Sequence, residues 1–276
     1  MPIDTEFGPA AYGHVRDRAA PANERAPLMS ELDGKAAFVT GGSRGIGAAI
    51  VRRLAADGAD VAFTYVSDAG AEQAEKVLAD VAAAGRRGIA IRSDAADAAS
   101  AVDAVARAAE ALGRLDIVVH NAGVFPSGPV EDVTLAELDR TLAIHARAAF
   151  LTAQASLAHL PDGGRIVAIG SSLAERVAFP GVTLYSMSKA ALSGLVRGLA
   201  RDLGARGITA NVVHPGSTDT DMNPANADHA QAQRDLTAMG TFMNADDIAA
   251  TVAHLAGPGG RYITGTAITV DAGATA

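Results

Sequence analysis

From residue 35 the chain alternates short apolar runs of β character with longer Ala-rich stretches of helical character. Runs of this kind suit strands buried on both faces, and the longer stretches suit helices packed against them. Predicted strands cover Ala36–Thr40, Val61–Val66, Ile89–Arg92, Leu115–His120, Arg165–Gly170, Ile208–His214 and Ala267–Val270. Predicted helices cover Gly45–Asp57, Ala71–Ala84, Ala98–Leu112, 135–159, Tyr185–Ala205 and Asp246–Ala256. This alternation predicts an α/β fold. It should be a doubly wound parallel sheet of about seven strands, flanked by helices on both faces, with right-handed crossovers. No linker-like stretch interrupts residues 31–276, which read as a single domain. Residues 1–30 hold Pro2, Pro9, Pro21 and Pro27 without sustained periodicity and read as a loosely ordered N-terminal extension.

Composition narrows what such a fold could do. Of 276 residues, 49% are hydrophobic, enough for a sizeable core. No apolar run is long enough to span a membrane, and Asp4 and Glu6 stand where a secretory signal would be apolar. The chain has no cysteine, which excludes disulfides, thiolate nucleophiles and Cys-ligated metals. That fits a cytoplasmic protein. Its seven histidines show no metal-ligand spacing, so no metal site is expected. A net charge of −8 disfavours a nucleic-acid partner.

Two motifs carry chemistry. Tyr185 and Lys189 are four residues apart, so on a helix the phenol and the ammonium share a face. A nearby cation favours the phenolate, which predicts a phenol able to trade a proton with a carbonyl or alcohol. Thr40-Gly41-Gly42-Ser43-Arg44-Gly45-Ile46-Gly47 follows the first predicted strand and opens the first helix. Glycines there allow a tight turn and close approach to a pyrophosphate, and a helix N-terminus offers free N–H groups. The second strand ends in Tyr65-Val66-Ser67, with no carboxylate until Asp68. An NAD site would place an acid at that end. Arg44, Ser43 and Ser67 could instead meet a 2′-phosphate, so NADP(H) is expected over NAD(H).

With four further motifs in order, the chain resembles the short-chain dehydrogenase/reductase family, the single-domain type that includes the 3-oxoacyl-ACP reductases. The resemblance covers roughly residues 31–276 and implies a Rossmann-type catalytic domain. It rests on the glycine motif, on Asp94-Ala95, on Asn121-Ala122-Gly123, and on Ser172, Tyr185 and Lys189. It rests also on Pro215-Gly216-Ser217-Thr218-Asp219-Thr220 and on the segments Tyr262–Gly265 and Val270–Gly273. The implied roles are these. Tyr185 is the general acid or base, Lys189 lowers its pKa and holds the nicotinamide ribose, and Ser172 orients the substrate oxygen. Ser171 is the neighbouring alternative, and Ser172 is preferred for its gap of thirteen residues to Tyr185. Asp94 and Ala95 would contact adenine, and Thr220 the nicotinamide amide. A small-molecule carbonyl or alcohol substrate and a tetrameric homo-oligomer are also implied.

Two positions depart from the family pattern. His145 stands where the family has an Asn whose main-chain carbonyl binds a relay water; the imidazole could join the relay or fill the Asn volume. Ala272 stands where a glycine is usual. His120 and His214, at strand ends, read as packing or cofactor neighbours. Met222, Met239, Phe242 and Met243 form a candidate lid, and Arg147, Arg176 and Arg197 a candidate docking patch for an acyl carrier. A catalytically weak nucleotide-binding or regulatory protein is the competing reading, favoured only by His145.

Overall fold

A computed structural model describes residues 31–276; the extension expected over residues 1–30 lies outside the described residues. Strand β1 (Ala36–Val39) is buried throughout, and its side chains alternate between two apolar clusters. Ala37 and Val39 join one cluster, Ala36 and Phe38 the other. A strand so divided needs cover on both faces. Its parallel neighbours are β2 (Asp60–Tyr65) and β4 (Ile117–His120), with Ala37 opposite Val61 on one side and Ile117 on the other. β3 (Gly88–Arg92), β5 (Arg165–Ile169), β6 (Thr209–Pro215) and β9 (Ala267–Val270) complete a seven-stranded parallel sheet of order β3-β2-β1-β4-β5-β6-β9.

Helices α1 (Gly45–Ala56), α2 (Asp68–Ala83) and α8 (Ala245–Ala256) supply one cluster. Helices α3 (Ala98–Leu112), α5 (Ala148–Ser156) and α6 (Thr183–Leu203) supply the other. The doubly wound sheet expected from the apolar pattern is therefore present. Local chemistry sets the helix ends. Asp97 caps α3 by accepting from the N–H groups of Ala99 and Ser100, and Gly113 ends it at φ 78°. α2 starts three residues before the predicted Ala71, because the Ser67 hydroxyl accepts from Gly70 N–H. A short helix, α7 (Ala230–Asp235), and a two-residue strand pair, β7 (Thr218–Asp219) with β8 (Met243–Asn244), were not expected, being too short to set up a period.

The predicted helix over 135–159 is not continuous. It runs as α4 (Leu135–Leu142), a π turn over Ala143–Arg147, and α5. One wide turn leaves the 3.6-residue apolar pattern nearly intact, so the interruption is invisible in sequence; such turns often sit at functional sites. Ala272 has φ 52° and is the non-glycine residue in the left-handed region among those described. That is why glycine is the natural choice there.

Successive strands β1, β2 and β3 run to one side, and β4 returns to the other side of β1. The reversal opens a crevice at the C-terminal ends of β1 and β4, where ligands of such sheets bind.

Candidate active site

The turn after β1 is shaped by contacts that exclude side chains. Gly41 and Gly45 take φ values of 65° and 52°. A Cβ on Gly47 would lie 2.1 Å from the Gly41 carbonyl oxygen and 2.4 Å from Asn121 Nδ2. Asn121 Nδ2 donates to the carbonyls of Thr40 and Gly41, while the Thr40 hydroxyl accepts from the N–H groups of Asn121 and Ala122. Thr64, on β2, accepts from Gly41 N–H. The loops after β1 and β4 are thus held as one surface. At the N-terminus of α1, Arg44 makes no side-chain cap, leaving first-turn N–H groups for another acceptor. A positive-φ glycine cradle, uncapped amides and a cleft of about 1050 Å³ fit a dinucleotide with room for a substrate.

That cleft is lined by Gly41, Ser43, Arg44, Gly45, Ile46, Gly47, Asp94, Ala95, Asn121, Ala122 and Gly123. Ser171, Ser172, Tyr185, Lys189, Pro215, Gly216, Thr218 and Thr220 also line it. Ser67 is not part of that lining; its hydroxyl oxygen accepts from Gly70 N–H as the cap of α2, and its own proton stays free to donate. No carboxylate from the end of β2 takes its place, because Asp68 faces solvent and pairs with Arg92 at 3.0 Å. The Arg44 guanidinium reaches Asp221 at 3.1 Å, a partner 177 residues away. Both are well exposed, so this pair is weak and yields readily to a phosphate.

At the inner end, Lys189 is buried and donates to the Ile169 carbonyl at 2.9 Å. Burial in a poorly solvated site disfavours its charge and pulls it down to about 8. The Lys189 ammonium lies 6.0 Å from the centre of the Tyr185 ring. The expectation that this cation would lower the phenol's pKa is not met in this structure. Burial dominates and raises Tyr185; a hydrogen bond from Ser171 opposes it. That bond bears on the choice of serine, since Ser171 and Ser172 both line the cleft. The hydroxyl meeting the phenol belongs to Ser171, which caps the short turn Ser172–Ala174 by accepting from Leu173 N–H at 3.2 Å. Ser172 opens that turn instead. The gap of thirteen residues favours Ser172, and the hydrogen bond to the phenol favours Ser171.

His145 lies in the π turn, fully buried and outside the cleft lining. Its Nε2 accepts from Val124 N–H at 3.0 Å, so the proton of the neutral ring is on Nδ1. Nδ1 donates to Ser188 Oγ at 2.7 Å, and Ser188 Oγ donates to the Tyr185 carbonyl. Burial, then the Lys189 and His120 charges, hold His145 at about 2. The imidazole ties the loop after β4 to the helix bearing Tyr185. Held so low, it stays neutral in the working range, which speaks against a part in the proton relay. His120 is likewise held low, at about 3, chiefly by burial, then by Lys189.

The sign of the effect on stability follows. An unfolded imidazole takes up a proton below its ordinary 6.5, whereas buried His145 does so only near 2. Stability contributed by this site is therefore lost as pH falls below 6.5. His145→Asn is expected to keep activity with a superimposable pH–rate profile, and to lose less stability than the wild type between pH 6.5 and 4. Urea midpoints at both pH values, with steady-state rates, check this. An ionisation missing from the variant's rate profile would restore His145 to the relay.

The outer end of the cleft is apolar. Phe125, edge-on to Tyr185 at 4.7 Å, lines it with Phe179, Met222 and Leu236. Of the candidate lid residues only Met222 lines the cleft. Met239 is exposed, Met243 buried, and Phe242 lies under the Arg234 guanidinium. Two of the candidate docking arginines, Arg147 and Arg176, are not brought together. Arg147 bonds the Ala96 carbonyl after β3, and Arg176 the Ala274 carbonyl after β9, strands at opposite edges of the sheet. Phe125 and Phe179 carried no signal in sequence because they belong to loops, and Arg176, expected in a docking patch, lines the cleft instead. Among the described residues no group of three or more His, Asp or Glu could hold a metal ion, and no helix is long and apolar enough to cross a membrane.

A family model described as "Enoyl-(Acyl carrier protein) reductase" matches residues 41–275. The "Cyclic-di-GMP-binding biofilm dispersal mediator protein" of Escherichia coli (strain K12) is 42% identical over 88% of this chain and 98% of its own length. Among solved structures, a short chain dehydrogenase from Burkholderia cenocepacia J2315 in complex with NADP is 57% identical, with a TM-score of 0.87 over 89% of this chain and 100% of that one. A blue fluorescent protein from a metagenomic library in complex with NADPH is 56% identical, with a TM-score of 0.88 over the same shares.

Proposed function

The chain belongs to the short-chain dehydrogenase/reductase family, and we propose that it is an NADPH-dependent reductase of small apolar carbonyl compounds, also able to run in the alcohol-oxidising direction. The observation that carries this reading is the meeting of Tyr185, Ser171 and Lys189 at the inner end of a cleft whose outer wall cradles a dinucleotide. NADPH, when bound, supplies a hydride to the carbonyl carbon. The chain's own residues handle the oxygen. The Tyr185 phenol, kept protonated at neutral pH by burial, donates its proton to the oxygen as negative charge develops there. The Ser171 hydroxyl, whose oxygen already accepts from Leu173 N–H, turns its own proton toward the same oxygen. Lys189 holds its charge next to both groups and is placed to bind the ribose hydroxyls. Ser172, on the same turn, completes the wall.

The cofactor reading is NADP(H). The supports are Arg44 at the mouth, no carboxylate at the end of β2, and the two similar proteins solved with NADP or NADPH. Arg44→Ala should weaken NADPH by about tenfold to a hundredfold, the loss of a charge-assisted hydrogen bond, and leave NADH nearly unchanged. Fluorescence titration with each cofactor decides it; equal weakening would remove the 2′-phosphate contact. Asp94 and Ala95 line the adenine end. There Asp94 Oδ1 accepts from Ala96 N–H at 2.9 Å, leaving Oδ2 available to a ligand beside Arg140 at 3.6 Å.

A cytoplasmic protein, one domain over 31–276 and a homo-oligomer, most simply a tetramer, complete the proposal. Leu135, Phe150 and Met187 expose apolar surface on α4, α5 and α6, suited to a second copy, and light scattering reads the mass. The Escherichia coli relative's name favours a second reading, a nucleotide-binding regulatory protein. A panel of ketones, quinones and aldehydes with NADPH and NADH, followed at the nicotinamide absorbance, separates the two. Turnover supports the reductase, and cofactor binding without any turnover supports the regulator.

A further inference from the structure

Ser171 is held from behind. Its backbone N–H donates to His214 Nδ1 at 2.9 Å, away from solvent. His214 comes from the neighbouring strand β6 and is fully buried. A ring nitrogen that accepts carries no proton, so the proton of this neutral imidazole is on Nε2. Two oxygens face it: Glu175 Oε1 at 3.3 Å and Ser193 Oγ at 3.2 Å. Glu175 directly follows the turn that Ser171 caps, and its N–H donates to the Ser172 carbonyl. The path Ser171–His214–Glu175 therefore leaves this loop and returns to it. Gly170 makes the approach possible, since a Cβ there would lie 2.1 Å from His214 Nδ1.

We propose that His214, oriented by Glu175, is a positioning residue that fixes the direction of the Ser171 hydroxyl. The inference rests on the reading above, in which Ser171 meets the substrate oxygen. A direct acid–base part is excluded by the bonding: Nδ1 faces a backbone amide, which has no proton to exchange with substrate. The carboxylate selects the tautomer, the tautomer supplies an acceptor, and the acceptor pins the backbone from which the hydroxyl projects. Glu175 is half-exposed and His214 enclosed, so the carboxylate can be removed without opening the core.

The test is a double-mutant cycle on Ser171→Ala, His214→Leu and Glu175→Ala, reading kcat for a carbonyl substrate and Kd for NADPH. His214→Leu should lower kcat by about tenfold to a hundredfold, the usual cost of a slightly misplaced group, with Kd changed by less than about twofold. His214→Asn, whose Oδ1 can take the place of Nδ1, should recover most of that loss. Neither His214→Leu nor Glu175→Ala should slow the Ser171→Ala enzyme further. Additive losses in that background would overturn the proposal, because His214 would then act elsewhere. Should His214→Leu fail to fold, Glu175→Ala carries the test: a smaller fall in kcat, absent from the Ser171→Ala background, is expected, and wild-type kcat overturns it. A Ser171→Ala enzyme as fast as wild type would instead overturn the functional reading itself.

Discussion

Replacing Tyr185 by Phe should lower turnover by about a hundredfold to ten-thousandfold, the usual contribution of a positioned general acid. The change removes one oxygen. The ring keeps its edge-on contact with Phe125 at 4.7 Å, and the backbone carbonyl still accepts from Ser188. Fold and NADPH affinity should therefore be nearly unchanged, and fluorescence titration of the cofactor controls for both. Burial raises the phenol above its ordinary 10.0, so it enters the reductive direction protonated throughout the neutral range. Alcohol oxidation needs the phenolate, so its rate should climb with pH into the alkaline range while carbonyl reduction does not. Rates for Tyr185→Phe within a few-fold of wild type would end the proton-donor assignment.

Lys189→Met should affect three observables. Turnover should fall by at least about a hundredfold, since the cation beside the phenol and the substrate oxygen is gone. NADPH should bind about tenfold more weakly, for loss of a charge-assisted hydrogen bond to ribose. The third effect is on stability. The folded chain releases the Lys189 proton at about 8, whereas the unfolded chain keeps it to 10.5. Between those values the unfolded state binds more protons, so raising pH favours the folded wild type. The wild type should gain on Lys189→Met by roughly 3 kcal/mol from pH 8 to pH 10.5. Urea unfolding of both proteins at the two pH values measures that difference. A pH-independent difference would show that the buried ammonium is not strained by its surroundings.

Much of this site could be read along the chain because its parts are local. Tyr185 and Lys189 share a face by helical spacing alone, and the run from Thr40 to Gly47 announces itself by its place between a strand and a helix. The doubly wound sheet was legible for the same reason: each strand is a short apolar run, and both its faces must be covered. Asn121, Pro215 and Thr220 carry no periodic signal, and the family resemblance alone marked them out.

Other features depend on contacts between distant residues, and the tertiary structure decided them. Ser171 hydrogen-bonds the phenol, and its N–H donates to His214, 43 residues on. The Ser67 hydroxyl caps a helix, and Arg44 pairs with Asp221 across the cleft. The Tyr185 pKa follows the same rule. Spacing alone puts a cation on the same face, but burial disfavours a phenolate and raises the phenol against the Ser171 hydrogen bond that opposes it. His145 is the plainest case. Its residue type allows a proton relay; its burial and two hydrogen bonds make it a neutral strut instead. Sequence determined which chemical groups are available and which of them lie on one element. Desolvation and hydrogen-bond partners are properties of the packed interior, so only the tertiary structure could decide which groups hold a charge and which way each one faces.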